Sequence, residues 1–397
     1  MSYVPDLQSD VVHSLAHGKT VSCVHPMSNT LKVKERMIQS NKYKQAFTSL
    51  QFGSSQIALN IPMSSVINGV WVNATFQGIN VADTIAPLAG YAMIAQVQYR
   101  FGNSTLYSIS GPDMFQIVRS TLNTSDQVDE LIDLAGGSSA TTIGVGSKSV
   151  AVWLHMPFSR LNSGGHLRYG IDTGVMNAPL TILIDLAPVS KVFTVNTGGV
   201  TSLSSAFFHI AGSDYLDKSQ KIMPKENEYF GFPCHYYQSF QCQSITPLST
   251  TQTLSSTLTS FRKGNLLAVY FYCSLDSDFN GTNPFKLVQI NSLRLLFNGV
   301  VLYQSDNDPD IRIYNLTQNL MPASYTAYSQ SNKICEVILS NVAPRYKNFS
   351  NLPCLNLANQ ILQVEYSVNT TSAMSLHAIY VYDSAVVYNQ TSAELVL

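Results

Sequence analysis

Apolar and polar residues alternate with a period of two along most of the chain, a pattern typical of β-strands with one buried face. In residues 290–303, INSLRLLFNGVVLY, the alternation is interrupted by Asn298 and Gly299 and then resumes. An Asn/Gly pair between two alternating runs predicts two strands joined by a tight turn. Residues 94–107, IAQVQYRFGNSTLY, have the same pattern around Gly102 and Asn103, so the chain contains the predicted hairpin twice.

The two predicted hairpins match without a gap, at a distance close to half of the 397 residues. The matched positions are apolar or aromatic in both copies: Ile94 and Ile290, Val97 and Leu293, Tyr99 and Leu295, Phe101 and Phe297, Leu106 and Leu302, Tyr107 and Tyr303. Other predicted strands correspond in the same order: residues 43–52 with 236–245, 69–76 with 265–272, and 204–214 with 375–382. Such an ordered series indicates an internal duplication. We therefore predict an N-terminal arm at 1–40, basic and partly helical, a first domain at 41–222 and a second at 223–397.

The rest of the hydrophobic pattern brings each half to about eight strands, the number in a jelly roll. Further strands are predicted at residues 66–76, 149–155, 178–186, 258–272, 334–339 and 354–366. Residues 113–137 are predicted to be helical, with Ser125 as N-cap and Gly136 as the stop. Residues 31–45 have the composition of one short helix, and residues 304–332 that of a polar loop. The fold class predicted is all-β: two tandem eight-stranded antiparallel jelly rolls with short helices in long loops.

Charged residues make up only 12% of the chain, about half the usual share. Such a surface suits a protein that is packed against neighbouring molecules, with an ordinary polar β-rich domain as the alternative. Residues 1–50 hold six Lys and Arg against three acids, in a chain of net charge -1. This basic arm indicates an anionic partner such as a membrane or nucleic acid, unless it is simply a solvated helix face. The first ten residues lack the features of a secretory signal, so we expect no secretion by that route.

Three segments resemble the double jelly-roll major capsid proteins of the adenovirus and tectivirus lineage. Residues 93–122 combine an alternating strand pair, a Gly turn and a helix-bearing insertion. Residues 150–186 combine a strand, a Pro-Phe pair, a Gly-containing loop and an apolar strand. Residues 376–388, LHAIYVYDSAVVY, stand where the second jelly roll of the family ends. The resemblance is one of pattern and order over roughly residues 41–392, and the basic arm is longer than a minimal family member needs.

The resemblance implies a virion major capsid protein, assembled inside the host cell as pseudo-hexameric homotrimers in an icosahedral shell, over an internal membrane in the manner of many family members. The implied partners are other copies of the chain and minor capsid and vertex proteins. The long insertions at 111–147 and 304–332 are expected to project at the outer rim, and the arm at 1–40 to face membrane or genome. Two alternatives stay open: a carbohydrate-binding or glycan-processing double jelly-roll protein, and a minor capsid or receptor-binding spike protein.

Candidate chemistry is sparse. Two acidic sets are candidates for a cation: Asp276, Asp278 and Asn280, and Asp306, Asp308 and Asp310. The first set resembles the opening of an EF-hand calcium loop, but its twelfth position is Leu287, where a bidentate Glu is required. A turn explains both sets equally well. Histidines and cysteines lack metal-ligand spacing, and no GxSxG motif occurs. We therefore predict no catalytic, cofactor-binding or metal-binding residue, no small-molecule substrate and no enzymatic activity.

Overall fold

The computed structural model describes residues 21–22, 37–61, 66–122, 125–156, 160–161, 168–169, 171–215, 229–258, 265–281, 283–317, 333–339, 355–356 and 361–396. Residues 37–215 contain a first unit, and residues 229–396 contain a second. Each unit has two principal antiparallel sheets whose apolar faces meet in a core. A short strand, β1 at Val21–Ser22, precedes the first unit.

The strands of the first unit are β2 Met37–Gln51, β3 Gln56–Asn60, β4 Val66–Gln77, β5 Thr84–Ile85, β6 Ile94–Phe101, β7 Ser104–Ile109, β8 Thr141–Thr142, β9 Ser147–Leu154, β10 Arg160–Leu161, β11 Arg168–Tyr169, β12 Ile171–Asp172, β13 Leu180–Leu186, β14 Phe193–Val195 and β15 Ser202–Tyr215. One principal sheet has the order β9-β4-β15-β2, with β12 also on β4. The other has the order β3-β13-β6-β7.

The strands of the second unit are β16 Tyr229–Gln241, β17 Leu254–Leu258, β18 Asn265–Leu275, β19 Leu287–Val288, β20 Ile290–Phe297, β21 Val300–Ser305, β22 Cys335–Ile338, β23 Leu355–Asn356, β24 Leu362–Val368, β25 Met374–Tyr388 and β26 Ala393–Val396. One sheet has the order β22-β18-β25-β16, to which β1, β19, β23 and β26 add short pairings. The other has the order β17-β24-β20-β21. Strand for strand, these orders repeat those of the first unit, so the predicted tandem jelly rolls are confirmed.

The two hairpins that revealed the duplication have the same register. Tyr99 pairs with Tyr107 in the first, and Leu295 pairs with Tyr303 in the second. In both, the pairing shifts immediately after that first-strand residue, so even the bulge is repeated. Both turns use positive backbone angles, with φ +54° at Gly102 and φ +50° at Asn298. Such turns match the right-handed twist of the flanking strands.

The helices are short and lie between strands: α1 Ala89–Ala92, α2 Gly111–Thr121, α3 Ser125–Leu134, α4 Val189–Val192, α5 Asp276–Phe279 and α6 Asp308–Thr317. Helix α2 follows β7, and α6 follows β21, at equivalent places in the two units. Their N-termini are capped alike: Ser110 Oγ accepts the Asp113 N–H at 3.2 Å, and Asn307 Oδ1 accepts the Asp310 N–H at 2.9 Å. None of the helices in the described residues is long and apolar enough to span a membrane.

Four local predictions were wrong, and in each a long-range contact or an unrecognised helix start prevailed. The short helix expected within 31–45 is replaced from Met37 onward by β2, which pairs with β15 along almost its whole length. Of the strand expected at 258–272, Leu258 ends β17 and residues 265–272 belong to β18, which is in a different sheet. Of the strand expected at 354–366, residues 355–356 are β23 and residues 362–366 belong to β24, again in different sheets. The polar loop expected at 304–332 contains α6.

The predicted domain limits are only partly covered by the structure. The arm expected at 1–40 includes β1 and the first residues of β2, while its other residues lie outside the described ranges. Strand β1 runs parallel to the start of β16, pairing Val21 with Tyr229. The limit between 222 and 223 falls among residues 216–228, which also lie outside the described ranges, and stays a prediction.

Burial distinguishes the two units. In β4, alternate residues from Val70 to Phe76 are buried, whereas Trp71, Asn73 and Thr75 between them are half-buried. In β18, every residue from Leu266 to Ser274 is buried. Since side chains of a strand alternate between the two faces of its sheet, the β18 sheet is covered on both faces and the β4 sheet on one.

Candidate functional site

The outer face of the β16-β25-β18 sheet is covered by the first unit, along a contact surface that we call the seam. Aromatic pairs cross the seam with ring centroids 4.9–5.7 Å apart, among them His155 with Tyr237, Phe115 with Phe285, and Tyr107 with Tyr236. The backbone N–H of Asn177 also donates to the carbonyl of Gln390 at 2.7 Å. The first unit contributes β7, α2 and the residue that follows β9, so helix α2 of the insertion is part of the interior.

A buried polar group lies at the centre of the seam. The Tyr272 hydroxyl donates to Asp113 Oδ1 at 2.7 Å, and the other oxygen of that carboxylate accepts the Ser110 hydroxyl at 2.6 Å. The Tyr272 ring stacks on His377, with centroids 4.6 Å apart. His377 Nε2 in turn lies 2.8 Å from Ser274 Oγ. Each polar atom named here is satisfied by a neighbour, as burial requires.

Burial sets the protonation of this group. Removal from water, reinforced by the Asp113 carboxylate, raises the pKa of Tyr272 well above its ordinary value, so the phenol stays protonated and donates. Burial lowers the pKa of His377 to about 4, although Asp113 and Asp276 act in the opposite direction. The imidazole is therefore neutral at neutral pH. The group is a fixed hydrogen-bonded contact between the units.

The corresponding face of the first unit, which we call the open face, is half-buried where the structure describes it. Trp71 of β4 pairs with Trp153 of β9 on one side and with His209 of β15 on the other, which places the three rings side by side on this face. Trp71 and His209 stack with centroids 5.4 Å apart. Asn73 and Phe207 continue the face, and all five residues are half-buried. Both tryptophans of the chain thus lie on one sheet surface.

The covered and open faces correspond position by position. Two matched pairs fix the register between the sheets: Phe47 with Ala206 in the first unit, and Phe240 with Ala378 in the second. Odd-numbered positions 205–209 of β15 therefore correspond to odd-numbered positions 377–381 of β25. The former are half-buried and the latter fully buried. Because Tyr272 pairs with His377 and Thr75 pairs with Ser205, Thr75 is the positional equivalent of Tyr272. The sequence match of residues 69–76 with 265–272, which equates Phe76 with Tyr272, is therefore displaced by one residue.

One carboxylate joins two loops at an end of the first unit. Asp83 accepts the backbone N–H groups of Ile79, Asn80 and Gly198 at 2.8–2.9 Å and the Thr197 hydroxyl at 3.2 Å. These hydrogen bonds, first that of Asn80, lower the pKa of Asp83 to about 2. The side chain therefore fixes the β4–β5 loop against the loop that follows β14. The sequence offered no motif for this contact.

The first acidic candidate set lies at α5. Asp276 accepts the Ser375 hydroxyl at 2.7 Å and also the hydroxyl of Ser244. Asp278 forms an ion pair with Lys286 at 3.1 Å, and the N–H of Asn280 closes the helix by donating to the Asp276 carbonyl at 2.9 Å. The residues thus begin and end a helical turn, with protein partners for both carboxylates.

The second acidic set begins α6. Asp308 forms an ion pair with Arg312 at 2.9 Å and accepts from Gln289. Asp310 accepts the Asn307 side-chain amide at 2.7 Å, and Asp306 accepts that of Gln304 at 2.9 Å. Acidic residues at a helix N-terminus complement its dipole. Within the described ranges, no three His, Cys, Asp or Glu side chains lie close enough together to hold a metal ion.

A group of apolar residues is exposed at the second hairpin. Val300, Val301 and Leu302 of β21 are exposed, as is Ile361 beside the turn. Ile361 is fixed there by Asn298, whose N–H donates to its carbonyl at 3.1 Å and whose Oδ1 accepts its N–H at 3.3 Å. Strand β21 is also the edge of its sheet. The equivalent edge of the first unit, β7, lies against β16 and β26.

Comparison with known proteins gives structural matches but none in sequence. No family model and no curated protein matches the sequence. The fold is similar to that in a quasi-atomic model of the PBCV-1 virus capsid, with TM-score 0.66, 10% identity, and 91% of this chain and 97% of that chain covered. The Faustovirus major capsid protein gives TM-score 0.60, 9% identity and coverage of 96% and 98%. A chain of Sulfolobus turreted icosahedral virus gives TM-score 0.53 and 11% identity, with 88% of this chain and 91% of that chain covered. The chain has the double jelly-roll fold of these proteins, as the resemblance predicted.

Proposed function

We propose that the protein is a major capsid protein, which builds an icosahedral virus shell by self-assembly and catalyses no reaction. The observation that carries this proposal is the internal duplication: two jelly rolls of identical strand order lie in one chain, and one covers the outer face of the other. An interface of that kind can be repeated between chains. The similar solved proteins, which belong to viruses, and the low content of charged residues also support it.

The capsomer proposed is a homotrimer with a pseudo-hexagonal outline. Two similar jelly rolls in each chain give three chains six similar blocks, and closed threefold symmetry needs one type of heterologous interface. A stable interface of this kind buries upwards of about 1,000 Å² in total. Other capsomers, minor capsid proteins and vertex proteins are the further partners proposed.

The N-terminal residues are proposed to attach the shell to an internal membrane or to the genome. They hold the local excess of basic residues, and β1 places residue 21 beside the start of β16. A deletion that tests this attachment should remove residues 1–20 only, because a longer one removes β1 and part of β2. The shortened protein is expected to form capsomers and to lose binding to anionic vesicles or nucleic acid.

The experiment that tests the proposed function is multi-angle light scattering of the full chain, combined with electron microscopy. A particle of three times the chain mass of 43.6 kDa and a six-lobed outline are expected. A monomer at every concentration, with no assembly in virus particles, contradicts the proposal. Few copies of the chain in the shell of purified particles would also contradict the proposal, because they would indicate a minor capsid or spike protein.

One observation favours a second candidate, a carbohydrate-binding protein. Both tryptophans lie on one open sheet face, and aromatic rings on a sheet are a common platform for sugars. The positions that alternate along this face in β4, β9 and β15, however, hold no carboxylate: Trp71, Asn73, Thr75, Ser149, Ala151, Trp153, Ser205, Phe207 and His209. Binding on a glycan array with quenching of tryptophan fluorescence would support the second candidate.

A further inference from the structure

We propose that the tip of the second hairpin inserts into the surface of an anionic lipid bilayer. The tip consists of Val300 and Val301 in β21, which are 63% and 37% exposed, and of Ile361 beside the turn, which is 56% exposed. We call these three side chains the apolar tip. The inference rests on the proposed shell function, and it names the surface by which the second jelly roll contacts a membrane beneath the shell.

The first hairpin shows that the fold does not require an apolar tip. In the common hairpin register, its positions equivalent to the two valines hold Ser104 and Thr105. Both are exposed, although the seam buries the next residue, Leu106. An assembly contact of the same kind at β21 would therefore still leave Val300 and Val301 in solvent. The two valines indicate a further partner, which takes up apolar side chains.

The apolar tip lies at the end of the second unit where its first strand begins. Leu362 of β24 pairs with Phe297, the last residue before the turn, and with Leu258, the last residue of β17. A short connection leads from Leu258 to the start of β18, so the turn and the start of β18 lie at one end of the sandwich. Because β16 and β18 both pair antiparallel with β25, the start of β16 lies at the same end, with β1 beside it.

The two ends of the second unit differ in charge. Between β17 and β18 (259–264) and between β22 and β24 (339–361), the chain has no acidic residue and four basic ones: Arg262, Lys263, Arg345 and Lys347. These side chains lie outside the described ranges, but both connections start and end at strands on the side of the tip. At the other end, residues 276–289 and 306–334 hold five acidic residues and three basic ones. A basic end with an apolar tip is the combination that binds anionic lipid interfaces.

The hairpin can enter the boundary between headgroups and acyl chains without burying a charge. Residues 295–303 are all uncharged, and the ion pair of Arg294 with Glu365 lies about 10 Å behind Phe297 along the strand. Elements that bind at a lipid interface bury their apolar face by about 5–10 Å. Within the tip, Phe297 pairs with Val300, so the hairpin supplies hydrogen-bond partners to its own backbone, as a lipid environment requires.

One apolar tip is a weak anchor, and the proposed oligomer strengthens it. In a threefold-symmetric capsomer, the three tips lie at the same height along the axis and meet a membrane together. Contacts made together bind far more tightly than each contact alone, and neighbouring capsomers in a shell add more of them. The tips act with the basic groups at the same end, because stable attachment to a membrane takes two such signals.

Vesicle binding by the full-length capsomer provides the first test. The probe is a vesicle of phosphatidylcholine and phosphatidylserine, and flotation measures the bound fraction of the protein. Val300→Ser combined with Val301→Thr is expected to weaken binding at least about tenfold, as loss of a multivalent contact does. The first hairpin holds Ser and Thr in the same register, so the variant is expected to fold and assemble normally. Binding of this variant equal to that of the wild type overturns the inference.

Val81→Ser is the matched control, because Val81 is 77% exposed but lies in the β4–β5 loop of the first unit. Its binding to vesicles is expected to equal that of the wild type, and an equal loss in control and test variant overturns the inference. Light scattering of the same samples records the mass. A chain that is monomeric at every concentration contradicts the proposed function, whereas a capsomer that binds no vesicles contradicts only the inference.

A fluorescent label at the tip locates it relative to the bilayer. Val300→Cys carries a polarity-sensitive fluorophore, and wild-type protein treated in the same way corrects for labelling of the native cysteines. On vesicle binding, a blue shift and quenching by lipids brominated in their acyl chains are expected, while the same label at Val81→Cys shows neither. Bound capsomers whose label at position 300 is not quenched overturn the inference, since the tip then lies outside the bilayer.

Photo-cross-linking in purified particles distinguishes a lipid partner from a protein partner. A photo-reactive residue in place of Val300 is expected to give a tip peptide that carries the mass of a lipid. Cross-links to another protein without any lipid product overturn the inference, because they assign the apolar tip to a protein contact.

Discussion

The hydroxyl of Tyr272 in the second jelly roll donates a 2.7 Å hydrogen bond to the buried carboxylate of Asp113 in the first. The Asp113 oxygen that accepts it lies on α2, a helix inserted between β7 and β8 of the first jelly roll. Helix α2 of the insertion therefore joins the two jelly rolls. The expectation that the whole of residues 111–147 projects at the outer rim is wrong for this helix. The two units share one continuous hydrophobic core.

Removal of the Tyr272 hydroxyl is expected to destabilise the whole chain. Tyr272→Phe leaves one oxygen of a buried carboxylate without its donor, which costs about 1–3 kcal/mol for a group of this kind. Denaturant titration followed by circular dichroism measures the difference in the free energy of unfolding. The fold itself is expected to persist, because the ring still stacks on His377.

Tyr91→Phe is the matched control for this prediction. The Tyr91 hydroxyl is also buried, but it donates to the neutral carbonyl of Trp153 within the first unit, at the longer distance of 3.3 Å. Its loss is expected to cost less than the loss of the Tyr272 hydroxyl, because hydrogen bonds to charged acceptors are the stronger ones. Equal effects of the two substitutions would show that the Asp113 contact contributes nothing special to the seam.

Acid is expected to weaken the fold through His377. Burial lowers the pKa of this imidazole from 6.5 to about 4, so between these values the unfolded chain binds a proton that the folded chain does not. The stability that His377 contributes is present above pH 6.5 and is lost as the pH falls towards 4, by about 1.4 kcal/mol per pH unit. Urea titrations at several pH values measure this slope.

The variant His377→Gln isolates that contribution. Glutamine can still face Ser274 Oγ but does not titrate, so the variant is expected to be less stable at pH 7 and to lose less stability between pH 6.5 and 4. Asp113 and Asp276, which lie near the imidazole, remain in the variant. An unchanged pH slope would show that other groups cause the acid sensitivity.

Asp83 is expected to hold the loops at one end of the first unit. Asp83→Asn replaces an oxygen that accepts backbone N–H groups by an amide that donates, so the melting temperature at pH 7 is expected to fall. Because the native pKa is about 2, the carboxylate contributes stability above the ordinary pKa of 3.8, and this is lost as the pH falls towards 2. The wild type and the variant are therefore expected to converge in acid. Asp185→Asn is the control. Asp185 accepts a hydrogen bond from Gln56 at an exposed position, so little effect on the melting temperature is expected.

The jelly-roll fold could be predicted from the sequence because the patterns that indicate its strands and turns are local. Alternating side chains and a two-residue turn define each hairpin within fourteen residues, and both hairpins have the predicted strands and turns. Gly136, with φ +115°, follows the last turn of α3 as expected of a helix stop. Strand β3 was missed although its residues alternate, because its five residues form too short a run to stand out.

The seam and the open face could not be predicted in the same way. Trp71, Trp153 and His209 are far apart in the sequence, and only the pairing of β4 with β9 and β15 brings them together. The continuous apolar run of β18 is consistent with burial on both faces, but it does not show that the cover comes from another unit. Residues 37–45 have helical propensity, but pairing with β15 makes them a strand.

The matched residues Leu106 and Leu302 separate the stability of the chain from its assembly. They occupy the same hairpin position, but the first is 4% exposed and the second 38% exposed. Leu106→Ala is expected to lower the free energy of unfolding by about 2–5 kcal/mol, as for a buried leucine. Leu302→Ala is expected to leave the unfolding of the dissociated chain almost unchanged and to weaken association of the chains. Denaturant titration and light scattering measure the two effects, and a reversal of this order would mean that β21 is not an assembly surface.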